Sequence, residues 1–152
     1  MELKTKIDAE EGQQDLLITR EFNLPVDLLF KAYIVPEIVE QWMGTKVLKL
    51  ENKRHGSWQF ETTDPMGNKH NFNGTIHEFD FNKKITRTFE MEPFPVQLEF
   101  LEFIHLSEQT SKLLMHIVYR SVDDRNKMLQ LPFAKGISMA HDRLEQIASN
   151  IK

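Results

Sequence analysis

The residues best able to do chemistry in this 152-residue sequence are its six histidines, one arginine and one glutamate set among aromatic side chains. The absence of cysteine excludes disulfides, thiolate metal sites and cysteine nucleophiles together. His55 and His70 sit near turns, His77 and His105 face outward by strand alternation, and His141 lies beside the apolar stripe of a helix. His116 differs from these. If Leu106 pairs with Leu114 across two strands, His116 points inward and reaches Glu102 diagonally, which gives the acid–base pair that proton-transfer catalysis needs. If Leu106 pairs with Leu113 instead, Met115, Ile117 and Tyr119 turn inward and His116 turns out, an arrangement that buries more apolar surface. The sequence leaves both registers open. No Gly-x-Ser-x-Gly elbow, phosphate-cradling glycine loop, dinucleotide fingerprint or His-Glu-x-x-His helix occurs, and the histidines lack ligand spacing. No catalytic residue, metal or cofactor is therefore expected.

Arg87 is the cation most open to a binding role. If the turn at Pro93-Phe94-Pro95 pairs Met91 with Leu98, then Phe89 faces Phe100, Arg87 faces Glu102 and Ile85 faces Ile104. Apolar then meets apolar and charge meets countercharge, whereas a one-residue slide sets Arg87 against Phe103 and loses the match. The favoured register predicts an Arg87–Glu102 pair in a cavity or at its mouth, orienting the anionic end of a ligand. A salt bridge on a rim or on the outer sheet face is the plainer alternative.

The elements that would position these residues are legible from periodicity. Leu16, Ile18, Arg20 and Phe22 share one strand face, and Pro25 then opens a short helix whose buried stripe is Leu29, Phe30 and Tyr33. Pro36 opens a second helix carrying Ile38, Val39 and Trp42. Between residues 45 and 122 the period is two, giving strands at 47–53, 57–63, 70–81, 85–92, 96–106 and 112–121 separated by turn residues. Phe133, Ile137, Ala140, Leu144, Ile147 and Ile151 form one stripe of a helix from about 127 to 150, with Pro132 at its start or in an irregular first turn. The opposite face carries Lys135, Ser138, Asp142, Glu145, Gln146 and Ser149. Residues 1–12 read as a frayed or partly paired terminus and 13–152 as one domain.

Composition bounds the function. A net charge of −4 with short, diluted basic runs gives no support to nucleic-acid binding. The polar N-terminus and the lack of a long apolar run predict a cytoplasmic protein without membrane insertion.

Taken together, the segments Pro25-Val-Asp-Leu-Leu-Phe-Lys-Ala32, Trp42-Met-Gly44, His55-Gly-Ser-Trp58, Phe72-Asn-Gly74-Thr-Ile-His-Glu78, Ile85-Thr-Arg-Thr-Phe89 and Gly136-Ile-Ser-Met-Ala-His-Asp-Arg-Leu144 resemble a known family. It is that of single-domain bacterial proteins similar to the C-terminal domain of the activator of the heat-shock chaperone's ATPase (AHSA1-like). These proteins belong to the START-like, SRPBCC helix-grip superfamily. The resemblance covers nearly all of the chain beyond Gln13. It implies an α+β helix-grip fold: a curved antiparallel sheet of six to seven strands wrapped around a long C-terminal helix, with two short helices after the first strand. The chain departs from the family pattern where Arg87 replaces the usual aromatic of the fifth strand.

A cavity between sheet and helix follows from that fold, with Gly136 and Ala140 removing side-chain volume on its helix side. Its candidate lining is Trp58, Phe60, Phe72, Ile76, Phe89, Phe100, Met115, Ile117, Phe133 and Ile137, with Trp42 near the entrance and Arg87 and Glu102 as polar groups. Each of these is otherwise an ordinary core residue. Three functions compete. One is binding of a small apolar or amphipathic molecule. A second is protein interaction or co-chaperone activity through the outer sheet face, including homodimerisation, which an exposed Leu101–Phe103 cluster would favour. The third is cyclase- or hydrolase-type catalysis with an inward His116–Glu102 pair.

Overall fold

The computed structural model describes residues 4–151. Eight strands form one antiparallel sheet: β1 (Lys6–Asp8), β2 (Asp15–Phe22), β3 (Lys46–Leu50), β4 (Ser57–Thr63), β5 (Lys69–Asp80), β6 (Lys84–Met91), β7 (Phe94–His105) and β8 (Ser111–Val118). Their spatial order is β1-β2-β8-β7-β6-β5-β4-β3, so β2 closes beside β8 and everything from β3 to β8 is a meander. One strand more than the expected six to seven comes from the N-terminal segment, where Lys6, Ile7 and Asp8 pair with Thr19, Ile18 and Leu17.

The helices α1 (Val26–Ile34) and α2 (Pro36–Met43) follow β2 as expected. Proline supplies the preset φ at the N-terminal end of each, and Gly44, in left-handed conformation at φ 64°, ends α2. Gly44 N–H bonds back to the Glu40 carbonyl, while the Glu40 carboxylate accepts from Val47 N–H at 2.8 Å, so the end of α2 sets the start of β3.

The C-terminal region is two helices, where the sequence suggests one. α3 (Val122–Leu129) is capped by Ser121, whose hydroxyl accepts from Asp124 N–H at 3.1 Å. Buried Arg125 ties it to the start of the sheet by donating to the carbonyls of Glu10 at 2.7 Å and Asp15 at 3.1 Å. Pro132 then resets the chain, and α4 (Phe133–Ala148) runs back across the concave face. Its backbone lies closest to α2, α1 and α3 rather than to the sheet. Among the described residues no helix is long and apolar enough to cross a membrane.

The core fills the concave side. Leu16, Ile18 and Phe22 of β2, Ile85 of β6, Leu101 and Phe103 of β7, and Leu113, Met115 and Ile117 of β8 are buried against Leu29, Phe30 and Val39 of α1 and α2. Leu101 and Phe103 therefore belong to the core and form no exposed cluster on the outer face.

Candidate functional site

Register decides which polar groups reach the interior. The β6–β7 ladder pairs Ile85 with Leu101, Arg87 with Glu99 and Phe89 with Gln97. This differs by three residues from the register expected around Met91 and Leu98. An odd shift exchanges the faces of β7, so Gln97, Glu99, Leu101 and Phe103 turn inward while Phe100 and Glu102 turn out. The physical reason for the error is simple: glutamates stand three apart at 99 and 102, so either register gives Arg87 a countercharge. β7 also starts at Phe94, immediately after the turn, so Met91 pairs with Phe94 rather than Leu98, and an irregularity between Phe89 and Met91 shifts the register by one residue.

His116 takes the outward facing of the second alternative, although Leu106 pairs with neither Leu113 nor Leu114. The β7–β8 ladder pairs Phe100 with His116 and Leu101 with Met115, so Met115, Ile117 and Tyr119 are buried and His116 lies on the convex face. There it stacks on Phe100, with ring centroids 5.7 Å apart, and its Nε2 lies 2.8 Å from the Asp15 carboxylate. Phe100, Glu102 and His116 flank a shallow groove on that face together with Asp8, Glu10, Asp15, Leu17 and Leu114. An inward His116–Glu102 acid–base pair is absent.

On the concave face, five strands contribute one transverse row: Ile76, Arg87, Glu99, Ile117 and Leu16 are successive neighbours across β5, β6, β7, β8 and β2. A charged pair thus sits in the middle of an otherwise apolar row. Arg87 Nε donates to Glu99 Oε1 at 2.9 Å, and Gln97 Nε2 donates to Glu99 Oε2 at 2.9 Å, so both carboxylate oxygens are engaged. Neither terminal guanidinium nitrogen of Arg87 makes a hydrogen bond among the described residues. The guanidinium lies over Trp58, 4.8 Å from the ring centre, a contact that stabilises it by about 1–2 kcal/mol. Trp58 can lie there because residue 74 is glycine: a Cβ on Gly74 would stand 1.9 Å from the Thr88 carbonyl oxygen and 2.7 Å from Trp58 Nε1.

Above this pair lies a cavity of about 430 Å³. Its sheet wall is Phe72, Arg87, Phe89, Met91, Gln97, Glu99, Met115 and Ile117; its helix wall includes Tyr33, Trp42, Met43, Met128, Leu131, Phe133, Ile137, Ala140 and His141. Of the residues proposed from sequence, Trp42, Phe72, Arg87, Phe89, Met115, Ile117, Phe133 and Ile137 are on the wall. Trp58, Phe60 and Ile76 lie on the same face but are core beneath it, 1%, 1% and 2% exposed. Phe100 and Glu102 are on the other side of the sheet.

Trp42 is fixed within the wall rather than at the entrance, since its Nε1 donates to the Ala32 carbonyl at 2.7 Å and its ring packs 5.1 Å from Tyr33. The mouth is framed by the α3–α4 corner, where Leu131 is 43% exposed. Gly136 faces solvent, with nothing within 4 Å of the place a Cβ would take, so Ala140 alone supplies the small-residue relief expected of the two.

Two further polar groups face this space. The Tyr33 hydroxyl makes no hydrogen bond among the described residues; burial pushes its phenol well up, with the Arg87 charge pulling down and the Glu99 charge pushing up. His141 is held neutral: burial, reinforced by the Arg20 charge, lowers its pKa to about 3, and its Nδ1 lies 3.0 Å from Thr5 Oγ1. Sequence reasoning missed Glu99, Gln97 and Tyr33. Glu99 and Gln97 followed from the register, and the free end of Tyr33 is invisible to helical periodicity.

The pair also fixes what charge the cavity tolerates. At an effective dielectric of about 20, a carboxylate about 4 Å from the guanidinium gains ~4 kcal/mol and loses ~3 kcal/mol to Glu99 at about 6 Å. The remainder is smaller than the several kcal/mol it costs to strip an ion of water.

Residues 23–149 match the family described as Activator of Hsp90 ATPase homolog 1-like protein. No curated protein sequence matches. Among solved structures, the fold is shared with a protein from Rhodobacter sphaeroides at 16% identity, with a TM-score of 0.87 over 97% of this chain and 99% of that one. Protein Ms6760 from Mycobacterium smegmatis is similar at 18% identity and a TM-score of 0.85, covering 97% and 98% of the two chains. Protein NE0264 from Nitrosomonas europaea follows at 19% identity and a TM-score of 0.80, covering 92% and 97%. At such identities the likeness establishes the helix-grip fold, and the sequence match establishes the relationship: the chain belongs to the AHSA1-like family.

Proposed function

We propose that this protein binds a small, largely apolar molecule in the cavity between the sheet and α4. The observation that carries the reading is the cavity itself: about 430 Å³, walled by aromatic, methionine and isoleucine side chains, with a few polar groups at one place. That is the composition of a small-molecule site.

The other readings lose the residues on which they rested. Glu99 already accepts on both oxygens and His116 and Glu102 are on the convex face, which weakens catalysis by an inward pair. Burial of Leu101 and Phe103 weakens an interface built on them.

The test is binding of the uncharged fluorescent probe N-phenyl-1-naphthylamine to wild type and to Ala140→Phe, which fills the cavity from α4 without removing any other lining group. Saturable binding in wild type and its loss in the variant is the expected result. Equal binding by both folded proteins places the probe elsewhere and sinks the reading.

A further inference from the structure

Resting on the cavity reading, we infer that its polar end selects an uncharged hydrogen-bond acceptor, such as a ketone, ester or lactone carbonyl, over a carboxylate or other anion. The donors are present: the two terminal nitrogens of Arg87 and the Tyr33 hydroxyl have no protein acceptor among the described residues. The acceptors are used, because Glu99 is engaged on one oxygen by Arg87 Nε at 2.9 Å and on the other by Gln97 Nε2 at 2.9 Å. A ligand entering here meets unused N–H and O–H groups and completes their hydrogen bonding with a lone pair.

Charge sets the selectivity. Arg87 and Glu99, with side chains 10% and 5% exposed, already neutralise one another one hydrogen bond apart. A carboxylate would bring a third charge into an apolar space where Glu99 repels it nearly as strongly as Arg87 attracts it. It would also lose its water without a full countercharge. His141, also on the wall, is neutral at physiological pH and adds no cation. A carbonyl keeps the hydrogen bonds and avoids both penalties. The anionic ligand expected from an arginine in a greasy pocket is thus reversed by the glutamate bound to it.

Three ligands sharing one ring system decide the matter at pH 8, where a carboxylic acid is ionised: naphthalene, 2-acetylnaphthalene and 2-naphthoate, each titrated calorimetrically. The ketone is expected to bind about tenfold or more tighter than naphthoate and measurably tighter than naphthalene. In Glu99→Gln, naphthoate is expected to gain about tenfold as the repelling charge is removed. In Arg87→Met/Glu99→Leu, which removes the pair as a unit, ketone affinity is expected to fall to that of naphthalene.

Naphthoate binding as tightly as the ketone to wild type, or a ketone no tighter than naphthalene, overturns the inference while naphthalene binding leaves the cavity reading standing. Failure of all three ligands overturns both. The wild-type comparison decides even if a variant does not fold.

Discussion

Two arginines are sunk beneath the concave face of the same sheet, and they are wired in opposite senses. Arg20, on β2 with a fully buried side chain, uses its terminal nitrogens: Nη1 donates to Asp142 at 2.6 Å and also reaches Thr5 Oγ1 and the Ser138 carbonyl at 3.4 Å, and Nη2 donates to Glu145 at 3.3 Å. Its Nε is the unpartnered atom. Arg87 is the reverse, bonded at Nε and without acceptors at its terminal nitrogens among the described residues. Arg20 fastens the C-terminal half of α4 to β2 and the N-terminal segment. Among the described residues Arg87 is tied only to Glu99 and, by stacking, to Trp58, and it lines the cavity. Burial alone therefore does not separate a structural arginine from a binding one; the distribution of its donors does.

The largest effect that could break this contrast is at Arg87. Arg87→Met strands Glu99 in the interior and is expected to cost about 3–5 kcal/mol in urea unfolding. Removing the pair as a unit, in Arg87→Met/Glu99→Leu, is expected to recover most of that loss, short of the hydrogen bond that Gln97 loses and the stacking that Trp58 loses with it. A single variant as stable as wild type would mean that Glu99 is not isolated from solvent, and the contrast would fail.

Arg20→Met is expected to cost less, about 2 kcal/mol, although Arg20 makes more bonds. Its partners can recover: Asp142 is 59% exposed and Glu145 still accepts from Asn23 N–H at 2.6 Å. Adding Glu145→Gln to Arg20→Met should recover nothing, in contrast to the rescue at Arg87. A recovery comparable with that of the Arg87–Glu99 double variant would make the two sites alike.

Much of this architecture was legible in the sequence, and the failures share a cause. Period-two alternation located every strand from β2 to β8 within a few residues, because one buried face is enough to announce a strand. Which strand face meets which is set by turn geometry, and Glu99 and Glu102 satisfied the same charge match in two registers of opposite facing. α3 was overlooked because Val122-Asp-Asp-Arg-Asn-Lys127 has little apolar rhythm, although Ser121 ahead of two acids was a readable N-cap. Phe133, Ile137 and Ala140 of the α4 stripe are half-buried because they face the cavity. Ser138 and His141, next to that stripe, are 3% and 1% exposed because they meet Arg20 and Thr5.

A pH difference sharpens the contrast further. His141 packs edge-on to Phe22 at the Arg20 end of α4 and is held at a pKa of about 3, against roughly 6.5 in an unfolded chain. Below about pH 6.5 the unfolded state takes up a proton that the folded state refuses until about pH 3, so stability falls as pH falls through that window. Between pH 6.5 and 5, above the carboxylate range, the loss is expected to be about 2 kcal/mol. His141→Gln should flatten that slope in urea titrations at the two pH values. An unchanged slope would show that the folded state admits a proton at His141 as readily as the unfolded one, and that the Arg20 charge beside it does not hold it neutral.

The smallest effect tests whether the two ends of α4 are held to different degrees. The Arg20 end is pinned through Ser138, Asp142 and Glu145, whereas Gly136 sits near the cavity end, in the first turns of the helix, where a Cβ would meet nothing within 4 Å. Glycine at a helical position is about 0.5–1 kcal/mol less favourable than alanine when nothing else changes. Gly136→Ala should therefore stabilise the folded state by roughly that amount, and amide hydrogen exchange should show the added protection confined to residues 133–137. Protection spread evenly along α4 would mean that the helix opens as one unit, with its Arg20 end no better anchored than the end that faces the cavity.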